Sequence, residues 1–208
     1  MEISTEMIKE LRTATGAGVL DCRKALTEAD GDFQKAVDYL REKGLSMAAK
    51  RAERVASEGV VELYSHGNGR VGVMVEVNCE TDFVARSEAF RTFAHEVALQ
   101  VAASAPQYIN EADIPQDVLD HEAEIARRRA MDEGKPAAVA EKVVAGRVEK
   151  FKDEVVLMRQ PYIRDENLTI EKLMHQNIAS IGENIVVRRF VRWELGEASD
   201  SPESKSQP

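Results

Sequence analysis

Residues 58–84 read EGVVELYSHGNGRVGVMVEVNCETDFV, and the way this stretch alternates decides the fold. Val61 and Leu63 alternate with Glu62 and Tyr64, and His66-Gly67-Asn68-Gly69 then supplies the residues of a tight hairpin. On the return strand Val71, Val73, Val75 and Val77 share one face, and Gly72, Met74 and Glu76 share the other. An antiparallel pair with one buried and one partly wet face fits that pattern. Downstream, residues 87–104 place Phe90, Phe93, Val97 and Val101 on one helical stripe that would cover the sheet. Ile185, Val187, Arg189, Val191 and Trp193 later alternate with Val186, Arg188, Phe190, Arg192 and Glu194. This is a strand, and with only the hairpin to pair with it should complete one three-stranded antiparallel sheet.

Ahead of the hairpin, the period is helical. Ser4 or Thr5 can cap a helix with Met7, Ile8 and Leu11 on one face, and Thr15-Gly16-Ala17-Gly18 stops it. A second helix carries Val19, Cys22, Ala25 and Leu26 inward. Asp32 can cap a third, bearing Phe33, Ala36, Val37 and Leu40, which Gly44 is expected to close. Residues 1–45 thus form a three-helix docking bundle, and residues 46–56, helix-prone and heavily charged, form a semi-rigid connector. Residues 57–195 form the second domain. Within it, helices are expected from Gln116 to Glu133, from Pro136 to about Met158, and from Thr169 onward. Residues 196–208 lack apolar periodicity and aromatics and are expected to be disordered. Helices and strands come in segregated blocks, so the class is α+β.

The chemistry the chain lacks narrows its function. Its net charge of -9 argues against a platform built on nucleic-acid phosphates, and the basic runs at Lys50–Arg54, Arg127–Arg129 and Arg188-Arg189 read as solvated faces. No apolar run reaches the roughly 20 residues a membrane span needs, and MEISTEMIKELR has no apolar signal core, so a cytoplasmic protein is expected. Cys22 and Cys79 lie far apart in sequence and are expected to be reduced. There is no GxxxxGK[ST] loop, HExxH, GxSxG or CxxC, so no catalytic residue, metal site or cofactor is assigned.

Asn78-Cys79-Glu80-Thr81-Asp82-Phe83-Val84 is the segment with no assigned place. Period-two alternation stops there, and the next helical stripe begins only at Phe90. Two outcomes are open. Thr81 or Asp82 caps the helix and Phe83 packs as a hydrophobic staple, or the segment displays an apolar ring beside a carboxylate as a probe for another protein.

Two motifs carry a family resemblance: Leu11-Arg12-x-x-Thr15-Gly16-Ala17-Gly18-x-x-Asp21-Cys22-x-Lys24-Ala25-Leu26, and Glu76-Val77-Asn78-Cys79-Glu80-Thr81-Asp82-Phe83-Val84-Ala85. With weaker similarity through GKPAAVAEKVVAGRVEKF, RQPYI and IGENIVVRRF, the chain resembles the elongation factor Ts family, guanine-nucleotide exchange factors for elongation factor Tu. The resemblance implies a UBA-like amino-terminal bundle and a partner-binding segment Thr81, Asp82, Phe83, Val84 that enters the partner's GTPase domain and dislodges its magnesium ion. It also implies docking of the bundle through Arg12, Thr15, Gly16 and Gly18. Longer family members carry two similar core subdomains in tandem, whereas this chain resembles the short form with one. A homodimer could restore the missing surface. Two other functions compete: a helical interaction module without exchange activity, and a thiol-dependent enzyme using Cys79, which Glu80 and Asp82 disfavour by raising its thiol pKa.

Overall fold

The computed structural model describes residues 3–197. Of the tail expected to be disordered, residues 196–208, the part from residue 198 onward lies outside them. In chain order the elements are α1 (Thr5–Thr15), α2 (Val19–Glu28), α3 (Phe33–Arg51), β1 (Glu58–His66), β2 (Val71–Cys79), α4 (Asp82–Ala85) and α5 (Glu88–Ser104). They continue with α6 (Gln116–Asp132), α7 (Ala137–Val155), β3 (Pro161–Tyr162), β4 (Asp165–Thr169), α8 (Ile170–Ile181) and β5 (Val186–Glu194).

The bundle forms as its caps dictate. The Ser4 side chain accepts the Met7 N–H at the start of α1, and Asp32 accepts the Lys35 N–H at the start of α3. Gly16 ends α1 with φ 66°, a left-handed backbone that a Cβ would disfavour, and its N–H returns to the Arg12 carbonyl. Ile8, Leu11, Cys22, Ala25, Leu26 and Ala36 make a small core of their own.

Gly44 does not close α3. The helix continues to Arg51, so the first half of the expected connector is its last turns. Gly44 is buried, and a Cβ added there would meet the Ala179 Cβ of α8 at 3.6 Å. Glycine serves close approach of two helices here, not chain reversal. Ala48, one turn on, joins the core of the second domain.

That core is the three-stranded sheet, in order β1-β2-β5 and antiparallel throughout, packed against helices. Val73, Val75 and Val77 of β2 share a buried cluster with Phe90, Phe93, Val97 and Val101 of α5, as the alternation implied. β1 lies the other way round from what its hydrophobicity suggests. Val60, Glu62 and Tyr64 stand opposite the inward valines of β2, while Val61 and Leu63 are exposed. Glu62 is tolerated inside because His95 of α5 meets its carboxylate at 2.9 Å. β5 breaks strict alternation at a bulge opposite Glu76 and Val77, where Arg188 is the extra residue. Val187 faces in before it, and Phe190 pairs with the inward-facing Val75 after it.

The sequence did not announce the short β3–β4 hairpin, whose strands are too brief to show alternation. Thr169 caps α8 as expected, accepting the Lys172 N–H. Helices α6 and α7 pair with each other, burying Ala126, Ala130, Ala140 and Val144. Among the described residues no helix is long and apolar enough to cross a membrane.

The α3–α8 contact makes a prediction about stability. Gly44→Ala should be neutral or raise stability by up to about 1 kcal/mol, because its methyl fits at ordinary contact distance and helix propensity improves. Gly44→Leu should cost about 1–3 kcal/mol by forcing the helices apart. Urea unfolding of the two variants checks both signs, and a tolerated leucine would show that α3 does not pack closely there.

Candidate functional site

β2 ends at Cys79, and within three residues the chain has turned into α4, a single four-residue helical turn. Thr81 is its cap, with an extended backbone and a hydroxyl that accepts the Val84 N–H at 3.3 Å. Val84 is buried in the main core cluster. The Cys79 thiol, also buried, donates to the Thr81 carbonyl at 3.2 Å. The turn is therefore pinned by its first and last residues.

The middle of the turn faces solvent. Phe83 is 81% exposed, the most open large apolar side chain among the described residues. Asp82 makes one ion pair, with Arg86 at 2.9 Å, and both partners are exposed, so that pair is worth under about 1 kcal/mol and is easily exchanged. Of the outcomes left open by the sequence, the cap is present and the staple is absent. Thr81 caps, while Phe83 does not pack on its own chain.

Behind the turn lies a polar clasp with the segment that follows α8. The Glu183 carboxylate accepts the N–H groups of Glu80 and Thr81, each at 3.0 Å, and the Thr81 hydroxyl at 2.6 Å. In return the Glu80 carboxylate accepts the Asn184 N–H at 2.7 Å. Buried Asn184 donates its side-chain amide to the Arg54 carbonyl at 2.9 Å. The bulge residue Arg188 reaches the Asn78 side-chain oxygen at 3.2 Å.

The amino-terminal motif is built on the same plan. The Thr15 hydroxyl donates to the Leu11 carbonyl at 2.7 Å and accepts the Ala17 N–H at 3.3 Å, while buried Cys22 points its thiol at the Ala17 carbonyl. Gly16, Gly18 and Arg12 are exposed. Val19, expected on the inward stripe, is instead 52% exposed, and with Leu20, 79% exposed, it presents apolar surface just beyond them. Ser180, near the end of α8, donates to the Gly16 carbonyl at 2.9 Å. Both motifs therefore touch the stretch 180–184.

Nothing local in the sequence singles out Ser180, Glu183, Asn184 or Leu20. IGEN stood out only as a weaker similarity, since a carboxylate after a helix end reads as solvated until its partners, some hundred residues earlier, are known. Leu20 is masked in the pattern by Val19 beside it, which reads as part of the inward stripe. Among the described residues no group of three or more His, Cys, Asp or Glu side chains could hold a metal ion.

Comparison with known proteins agrees with the motifs. A family model described as Elongation factor TS matches residues 3–197. A protein of Moorella thermoacetica named Elongation factor Ts is 57% identical over 195 residues, covering 94% of this chain and 96% of its own. A protein of the same name from Caldanaerobacter subterraneus subsp. tengcongensis is also 57% identical, over 94% of this chain and 98% of its own. One from Carboxydothermus hydrogenoformans is 56% identical, over 94% and 90% respectively.

Cys79 supplies the prediction that bears on the thiol reading. Burial, with the nearby Glu183 carboxylate adding to it, pushes its thiol up to about 11 from an ordinary 9.0. At pH 8 the thiolate fraction is then about a hundredfold below that of a free thiol, so iodoacetamide should label Cys79 at least about a hundredfold more slowly in the folded protein than in urea. Mass-spectrometric labelling rates check this, and fast labelling of the folded chain would revive the thiol-dependent enzyme.

Proposed function

The chain belongs to the elongation factor Ts family and so has its role in translation elongation, and we propose on that premise that it is the guanine-nucleotide exchange factor of elongation factor Tu in the cytoplasm. It promotes GDP release without itself carrying out a chemical reaction. The observation that carries this is Phe83, an aromatic ring held out to solvent on a turn whose two ends are fixed. Folding leaves such a ring exposed at the expense of roughly 1.5–3 kcal/mol of burial it could have had, and that same free energy becomes available when a partner covers it.

In the proposed complex Phe83 enters the GTPase domain as a wedge between helices. Asp82, released from Arg86, redirects polar groups near the partner's magnesium ion, while Thr81 and Val84 keep the turn in shape. The bundle docks beside it through Arg12, Thr15, Gly16 and Gly18, with Leu20 adding apolar area. One buried ring and one charged hydrogen bond, at roughly 1.5–3 kcal/mol each, account for a shift in nucleotide affinity of about a hundred- to twenty-thousand-fold. Linkage makes the effect mutual: if the factor weakens GDP, GDP weakens the factor by the same ratio.

A self-association is proposed as well, on a separate observation. The outer face of the sheet exposes Val61, Leu63, Met74, Val191 and Trp193. Leu63, Met74 and Val191 lie in one cross-strand row, and Trp193 sits opposite Gly72. An ion pair on that face, Glu76 with Arg189 at 2.7 Å, is satisfied internally, so a second copy related by a two-fold axis meets a matching apolar surface. Such a homodimer places two cores together, as the tandem subdomains of longer family members would.

Phe83→Ala should slow factor-stimulated release of fluorescent GDP from elongation factor Tu by roughly tenfold or more, with binding to nucleotide-free partner retained. Asp82→Ala should show a defect that shrinks when magnesium is chelated. Release at the wild-type rate with Phe83→Ala would discard the wedge. For the dimer, the 23.1 kDa chain should sediment as a pair at micromolar concentration and Trp193→Glu as a single chain. A monomeric wild type would remove the proposed interface.

A further inference from the structure

Glu183 lies outside both family motifs and outside every residue assigned above to partner contact. Its carboxylate nevertheless gathers three donors from the root of the probe: the N–H groups of Glu80 and Thr81 on Oε2 and the Thr81 hydroxyl on Oε1. Hydrogen bonds to an ionised acceptor are shorter and stronger than neutral ones. The hydroxyl that donates to Glu183 also accepts the Val84 N–H, and a hydroxyl polarised by a carboxylate is the better acceptor. Glu183 thus acts on the cap of α4 through Thr81. The other end of the same short segment reaches the bundle, where Ser180 holds the Gly16 carbonyl. Between them Gly182, at φ 90°, ends α8 with its N–H on the Ile178 carbonyl. The turn that joins the two contacts is therefore itself fastened.

We propose that Glu183 is a positioning residue for the Phe83 probe, and that residues 180–184 act as a brace holding the bundle loop and the probe at one spacing. The proposal rests on the exchange function proposed above and names what prepares its site. A single helical turn of four residues has little stability of its own, because helix nucleation is costly. Without the carboxylate, the turn visits other conformations in the free factor. Apparent affinity then falls by the fraction of time the binding-competent turn is lost, whereas the bound probe, once seated, is unchanged.

The brace therefore predicts a split between two kinetic quantities. Glu183→Ala should raise the factor concentration giving half-maximal GDP release about tenfold and leave the maximal release rate within about twofold. Glu183→Gln should recover part of the loss, since its amide oxygen still accepts both N–H groups while its NH2 opposes the Thr81 hydroxyl. In the free protein, amide hydrogen exchange at Glu80 and Thr81 should speed up at least about tenfold in Glu183→Ala, with Val75 and Val77 of β2 unchanged. Wild-type protection of the Glu80 and Thr81 amides in Glu183→Ala would overturn the brace, as would a fall in maximal rate with unchanged half-saturation. If the wild-type chain fails to accelerate GDP release, the exchange function falls, and amide protection in the free protein still decides the brace by itself.

Discussion

The inner face of β2, where Val73, Val75 and Val77 share one buried cluster with Phe90, Phe93 and Val97 of α5, is the contact on which the rest of the core depends. β2 is the central strand, paired on both sides, so it is the part of the sheet least able to move. Both of its neighbours take their facing from it. β1 turns Glu62 inward because register with β2 leaves no other choice, and β5 needs a bulge to match it. The strand that is most fixed is also the one that runs, within three residues, into the exposed turn carrying Phe83.

That adjacency gives the exposed ring its meaning. A lone exposed Phe on a long loop is unremarkable, since apolar atoms make up much of any protein surface. Here the residues on either side are immobilised: Cys79 and Val84 in the core, Thr81 by a cap and a carboxylate. On the proposed function, preorganisation of this kind removes the ordering free energy that a flexible probe would have to give up on binding. The chain has kept an apolar side chain out of a nearby core while spending several polar contacts on the turn that displays it.

Much of this was legible in advance, and what was not has common causes. The hairpin, the covering helix α5, the third strand and the caps at Ser4, Asp32 and Thr169 follow from local pattern, and local pattern was enough. Gly44 reads as a helix stop because a glycine that ends a helix and one that lets two helices touch look alike until the second helix, more than a hundred residues later, is in place. The inward Glu62 has the same origin, since its partner His95 stands on another element. The Thr81–Val84 segment was singled out from the break in alternation, but its brace was not. Glu183 is joined to Thr81 by hydrogen bonds spanning 102 positions, and a single sequence carries no signal for such a pair.

Energetics tie the remote parts of the molecule to the probe. On the proposed function, one ring and one carboxylate can supply roughly 3–6 kcal/mol, and part of that must offset the loss of freedom on association. Contacts of the bundle have to make up the difference, and they do so only if bundle and probe engage the same partner without either straining the other. A loose junction would let the bundle bind while the probe stayed outside. The continuation of α3 past Gly44 onto α8, and the passage of α8 into the segment that holds both Gly16 and Thr81, make the junction stiff instead. On the proposed function, the glycine that looks like a helix stop is thus part of the path by which binding energy gathered at Arg12–Leu20 can be used at Phe83.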